Sequence, residues 1–105
     1  MFTYCVTFRI GNGTVEGKTY QDRYNQLLDN ITGEGGAYWG EPTSFYFVQS
    51  SLITPEFSKK TVRGLSPKDD LVVVFDPSDM SANYFGPIEH VDVLLGFLPT
   101  AKKLA

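Results

Sequence analysis

An α+β sandwich is the fold class this sequence predicts, and three observations carry the prediction. Near the N-terminus, Phe2, Tyr4, Val6, Phe8 and Ile10 alternate with Thr3, Cys5, Thr7 and Arg9, the period of two that marks a half-buried strand. Tyr20, Tyr24, Leu27, Leu28 and Ile31 then recur at helical spacing, forming one apolar helical face. Further on, Leu71-Val72-Val73-Val74-Phe75 is apolar on both faces, as an interior strand of a sheet must be. A chain of 105 residues is expected to form one domain, residues 1–105, able to bury a core without metal or disulfide staples.

Taken in order, the first strand ends near Ile10 and opens into a long Gly-rich loop, Gly11 to Lys18. Such a loop is expected to be mobile or shaped around something. Thr19 caps the following helix, with Asp22 three residues on as a capping-box variant, and Gly33 ends it. Ala37-Tyr38-Trp39 reads as a short strand, Gly40-Glu41-Pro42 as a turn, and Thr43 to Ser50 as a second β segment. The two segments fit a hairpin or one bent strand. Thr54-Pro55-Glu56 starts a second helix, with a cap, a proline at the first helical position and an acid at the positive end of the dipole. After the turn at Ser66-Pro67-Lys68-Asp69 comes the apolar strand, closed by Asp76-Pro77-Ser78-Asp79. Tyr84-Phe85 reads as a short edge strand, Val91 to Leu98 as an apolar segment broken by Gly96, and 96–105 as a frayed tail.

The order is therefore β-α-β-β-α-β. Helical crossovers let the strands they connect lie parallel within an otherwise antiparallel sheet, with two helices on one face. That is a ferredoxin-like α/β sandwich.

Composition narrows the function classes. With 42% hydrophobic and 20% charged residues, the chain matches ordinary soluble domains, and its longest apolar runs are too short for a membrane span. The single cysteine excludes an internal disulfide and fits a reducing compartment. No secretory signal pattern is visible, so a cytoplasmic protein is expected. A net charge of −3 argues against a broad electrostatic grip on nucleic acid, although Arg9, Lys18, Arg23, Lys59, Lys60 and Arg63 are candidates for a local basic patch. The eight Phe, six Tyr and Trp39 exceed what such a chain needs, pointing to a thick core or a sheet face covered by a partner.

Gly17-Lys18-Thr19 imitates the end of a phosphate-binding loop, and Val72-Val73-Val74-Phe75-Asp76 imitates the strand that accompanies it. The spacing fails: the earlier glycine that the backbone cradle requires falls on Asn12. Nucleoside triphosphate chemistry also uses larger parallel sheets, so the expected role is a connector ending in a helix cap, with no nucleotide cofactor.

With the layout in place, the residues show a family resemblance. Tyr4-Cys5-Val6-Thr7-Phe8-Arg9, the Tyr24-Asn25-Gln26-Leu27-Leu28 helix, Trp39 followed by Thr43 to Val48, the Thr-Pro-Glu helix start and Asp70 to Val74 carry it. Over roughly residues 2 to 76 the chain resembles the small ferredoxin-like proteins that include the CRISPR-associated adaptation-complex subunit and virulence-associated protein D. The most similar of these are the bacterial proteins labelled SinR-type. The resemblance implies a homodimer with facing sheets; some members are metal-dependent nucleases, others structural DNA-holding subunits. Nuclease members resemble one another in an aspartate near the end of the first strand. Arg9 stands at that position here, and a cation cannot ligate a cation. Arg9 instead suits phosphate, or a structural salt bridge to an acidic residue across the dimer.

Other sites follow from residue chemistry. Asp76 and Asp79, near a strand end, can hold Mg²⁺, though Asp-Pro-Ser-Asp is also a common turn sequence. His90 reads as a surface residue and Cys5 as buried without an activating base. Tyr4, Tyr20, Tyr24, Tyr38, Trp39 and Tyr46 offer stacking platforms for bases, with burial the stronger expectation. Thr43 and Ser44 beside Trp39 suit a pocket lining. The expected function is a non-catalytic accessory protein, dimeric, without a required cofactor, touching RNA or DNA through Arg9, Lys59, Lys60 and Arg63. The alternatives are a metal-dependent endoribonuclease built on Asp76 and Asp79, and a small-molecule-binding regulatory domain with the glycine loop as its lid.

Overall fold

The computed structural model describes residues 1–33 and 35–104. Along the chain lie β1 (Phe2–Arg9), α1 (Tyr20–Thr32), β2 (Tyr38–Trp39), β3 (Phe45–Ser50), α2 (Thr54–Thr61), β4 (Leu71–Phe75), β5 (Ala82–Phe85), α3 (Val91–Phe97) and β6 (Lys102–Lys103). The strands form one open sheet in the order β2-β3-β1-β4-β5-β6. Every pairing is antiparallel except β5 with β6. Among the described residues no helix is long and apolar enough to cross a membrane.

The alternation in β1 sets the two faces. Tyr4, Val6 and Phe8 point to one side, where they are buried with Val48 of β3, Val72 and Val74 of β4, Leu27 and Ile31 of α1, and Phe57 of α2. Tyr4 stacks on Phe57 with ring centroids 4.4 Å apart, and its buried hydroxyl donates to the Leu52 carbonyl at 2.6 Å. Thr19 caps α1 as its sequence predicts: its hydroxyl accepts from the Asp22 N–H at 3.1 Å and its own N–H donates to Asp22 Oδ2 at 2.9 Å. The α2 start differs by one residue. Ile53 is the cap and Thr54 is already helical, because its hydroxyl is engaged with Ser81 Oγ at 2.6 Å. Ala37 to Ser50 forms a hairpin, with Tyr38 opposite Val48 and Trp39 opposite Phe47.

The other face departs from the expectation of two helices on one side of a four-stranded sheet. A third helix, α3, lies there, where Leu94 and Leu98 pack over Val73 of β4 and Ala82 of β5. Nor is 96–105 a frayed tail as far as Leu104. β6 adds to β5, the Leu104 N–H donates to the Tyr84 carbonyl at 2.8 Å, and Leu98 and Leu104 are buried. β5 is consequently an inner strand, not an edge. The turn after it requires Gly86: φ is +93° and an added Cβ would collide with the Asp70 carbonyl.

Candidate functional site

The connection from β1 to α1 has two sides, and they differ in chemistry. On one side the Gly-rich loop closes around Arg23, a side chain 1% exposed. Its Nε donates to Asp70 Oδ2 at 3.0 Å, Nη1 to the Gly13 and Lys18 carbonyls at 2.9 and 2.7 Å, and Nη2 to the Gly11 carbonyl at 2.7 Å. Asp70, fully buried, also accepts from the N–H groups of Gly11 at 2.9 Å and Ser66 at 2.8 Å. A buried ion pair is tolerated only when its remaining donors and lone pairs are satisfied in this way.

Each residue of the phosphate-loop imitation now has a local task. Val15 and Lys18 exchange backbone hydrogen bonds across Glu16-Gly17. Both central residues have positive φ, 50° and 80°, the sign a type I′ turn demands. Gly17 completes that turn, the Lys18 carbonyl binds Arg23, and Thr19 caps α1. A phosphate cradle presents N–H groups to an anion; this loop turns carbonyls onto a guanidinium. The loop is shaped around a residue of its own chain, Arg23.

On the other side lies a cleft of about 560 Å³ between the end of β1, the first turns of α1 and the β2–β3 loop. Arg9 is its charged lining residue, and among the described residues no acidic side chain lines it. Arg9 is exposed, and among the described residues it has no ion-pair partner. Tyr20 is 39% exposed and lies against Tyr24, with centroids 5.9 Å apart. Tyr24 is held by Phe8 at 5.8 Å and by its hydroxyl, which donates to the Thr43 carbonyl at 2.9 Å. Thr43 and Ser44 do line a pocket, though one shared with Arg9 and α1 and not with Trp39.

Comparison with family models, curated proteins and solved structures returns no match.

The cations expected to hold nucleic acid do not share one lining. Arg9 faces the cleft, whereas Lys59 and Lys60 lie on the last turn of α2 and Arg63 just beyond it. Lys59 and Arg63 are exposed and Lys60 half-buried. Arg23, grouped with the surface cations by composition, is instead a buried structural residue. Its signal was its place between Tyr20 and Leu27 on the apolar helical stripe, and Asp70 directly precedes the apolar strand.

Asp76 and Asp79 both serve turns. Asp76 is buried and its Oδ1 accepts from Ser78 N–H and Oγ at 2.8 and 2.7 Å. Asp79 Oδ1 accepts from Ser81 N–H and Oγ at 2.9 and 2.6 Å, and these bonds lower its pKa below the usual carboxylate value. Among the described residues no group of three or more His, Cys, Asp and Glu side chains is placed to hold a metal. His90 is exposed beside Glu89. Cys5 is buried, and burial, aided by the charge of Asp76, pushes its thiol pKa up.

The outer face of the sheet is divided. α3 covers β4 and β5, while the half formed by β1, β3 and β2 carries Trp39 and Phe47, 45% and 41% exposed. Phe45 stands edge-on to Phe47, with centroids 4.9 Å apart. Tyr38 and Tyr20 are exposed too, against the expectation of burial, while Tyr4 is fully enclosed and Tyr24 and Tyr46 half-buried.

Proposed function

We propose that this protein is a non-catalytic accessory domain of ferredoxin-like topology that works as a homodimer and contacts RNA or DNA phosphates. The topology is supported by the order β2-β3-β1-β4, joined through α1 and α2 on one face. β5, α3 and β6 extend that unit. The observation that carries the dimer is the uncovered half of the outer face. Trp39, Phe45 and Phe47 form an aromatic row beside a half that the chain covers with its own helix. Apolar surface of this kind is stabilised by removal from water, and a self-complementary pairing of two such faces closes without leaving a second copy exposed. Aromatic side chains are also the residues enriched in interface cores. The exposed cations Arg9, Lys59 and Arg63, with Lys60 beside them, support the phosphate contacts.

Light scattering behind size exclusion tests the dimer. The wild type is expected to elute as a dimer and Phe47→Glu as a folded monomer. A wild type that stays monomeric at about 100 µM overturns the dimer. Gel retention tests the second half: binding of labelled RNA or DNA should weaken steeply with salt and disappear when Arg9, Lys59 and Arg63 are all replaced by Ala.

A further inference from the structure

We infer that the Arg9 cleft is a binding site for a nucleoside 5′-monophosphate, with the base on Tyr20 and the phosphate on Arg9. Its volume of about 560 Å³ falls inside the ~300–1,000 Å³ range of small-molecule sites. Three features select the ligand class. First, Tyr20 presents an exposed ring backed by Tyr24, which Phe8 and the Thr43 carbonyl hold in place; this is a supported platform for a planar group. Second, among the described residues the guanidinium of Arg9 is unpaired and no carboxylate lines the cleft. The lining therefore attracts an anion, and a guanidinium fork matches phosphate oxygens in a bidentate contact. Third, the polar groups of Asn12 and Ser44 line the same space, offering donors and acceptors to a base edge and ribose hydroxyls.

The number of charges in the lining sets the phosphate count. One cation meets one phosphate. Among the described lining residues, a di- or triphosphate finds no second cation to oppose its further negative charge and no carboxylate to hold a bridging metal. The first turn of α1 is not invoked, since its capping box already serves it. The site also lies apart from the loop whose sequence imitates a phosphate cradle, because Arg23 occupies that loop. Free mononucleotide and the 5′-terminal nucleotide of a strand share this chemistry.

Isothermal titration of the full chain tests the assignment. Adenosine 5′-monophosphate should bind saturably with Kd below about 1 mM. Tyr20→Ala should weaken it about tenfold, and Arg9→Ala should reduce it to the affinity of adenosine. Both side chains are exposed, and unchanged circular dichroism establishes that each variant is folded. A 5′-phosphorylated tetranucleotide binding more tightly than the mononucleotide identifies a strand end as the natural ligand; equal or weaker binding identifies the free nucleotide. No saturable binding to the wild type at about 10 mM, or an affinity unchanged in both variants, overturns the site. Adenosine triphosphate binding tenfold more tightly than the monophosphate overturns the single-phosphate assignment. The site does not depend on dimerisation: a monomer that binds the mononucleotide leaves it standing, and a dimer that does not removes it.

Discussion

The two sides of the β1–α1 connection use arginine in opposite ways. On the loop side, Arg23 is taken out of water, and Asp70 and three loop carbonyls replace its hydration. On the cleft side, Arg9 keeps its hydration and its hydrogen-bonding capacity. A buried guanidinium with a full set of partners holds a fold together. An exposed one with no ion-pair partner among the described residues keeps its donors on the surface. Residue type does not separate the two; the environment does.

Breaking the comparison begins with the largest effect. Arg23→Ala leaves Asp70 as an uncompensated buried charge, and Asp70→Ala does the same to Arg23. Each should cost about 3–5 kcal/mol in urea denaturation. Arg9→Ala should change stability by less than about 0.5 kcal/mol in the same experiment. A comparable loss in both arginine variants would erase the distinction between the two sides.

Gly17→Ala sharpens the loop side. At φ +80° an alanine is strained even though no atom would meet its Cβ, so a loss of roughly 1 kcal/mol is expected. The change should be confined to the loop, with the Arg9 cleft unaffected in nucleotide titration.

The smallest effect is the pH dependence of the α1 cap. The Thr19 backbone N–H, followed by its hydroxyl, holds the exposed Asp22 carboxylate below its ordinary pKa. A lowered folded-state pKa contributes stability above the unfolded value of about 3.9 and loses it as pH falls through the folded pKa. The difference in melting temperature between wild type and Asp22→Ala should therefore be complete near neutral pH. It should narrow below about pH 4.

Much of the fold was legible because local patterns and tertiary burial agree. Alternation in β1, the capping box at Thr19 and the doubly apolar run Leu71 to Phe75 each state their structure within a few residues. The stretch after β5 was not legible. Val91 to Leu98 is short, interrupted by Gly96 and without a side-chain cap, so its helix depends on packing over Val73 and Ala82. Lys102 and Lys103 have no strand signature; they are a strand because β5 offers them an edge. The candidate site was legible in parts. Arg9, Tyr20, Tyr24, Thr43 and Ser44 each drew notice singly, but nothing in their spacing joins a strand end, a helix start and a hairpin loop. Neither Asn12 nor Gln21 carried a signal for the cleft, since the loop path that brings Asn12 there depends on Arg23.

By itself the sequence determined the central strand, the two main helices and the failure of the phosphate-loop spacing, because these rest on periodicity, capping and residue counts over short distances. The tertiary structure alone decided which acid pairs with Arg23, which half of the outer face stays bare and which residues meet in the cleft. Those outcomes turn on desolvation and on contacts between segments far apart in the chain. Burying Arg23 requires Asp70 from another element, and that pairing has no local trace.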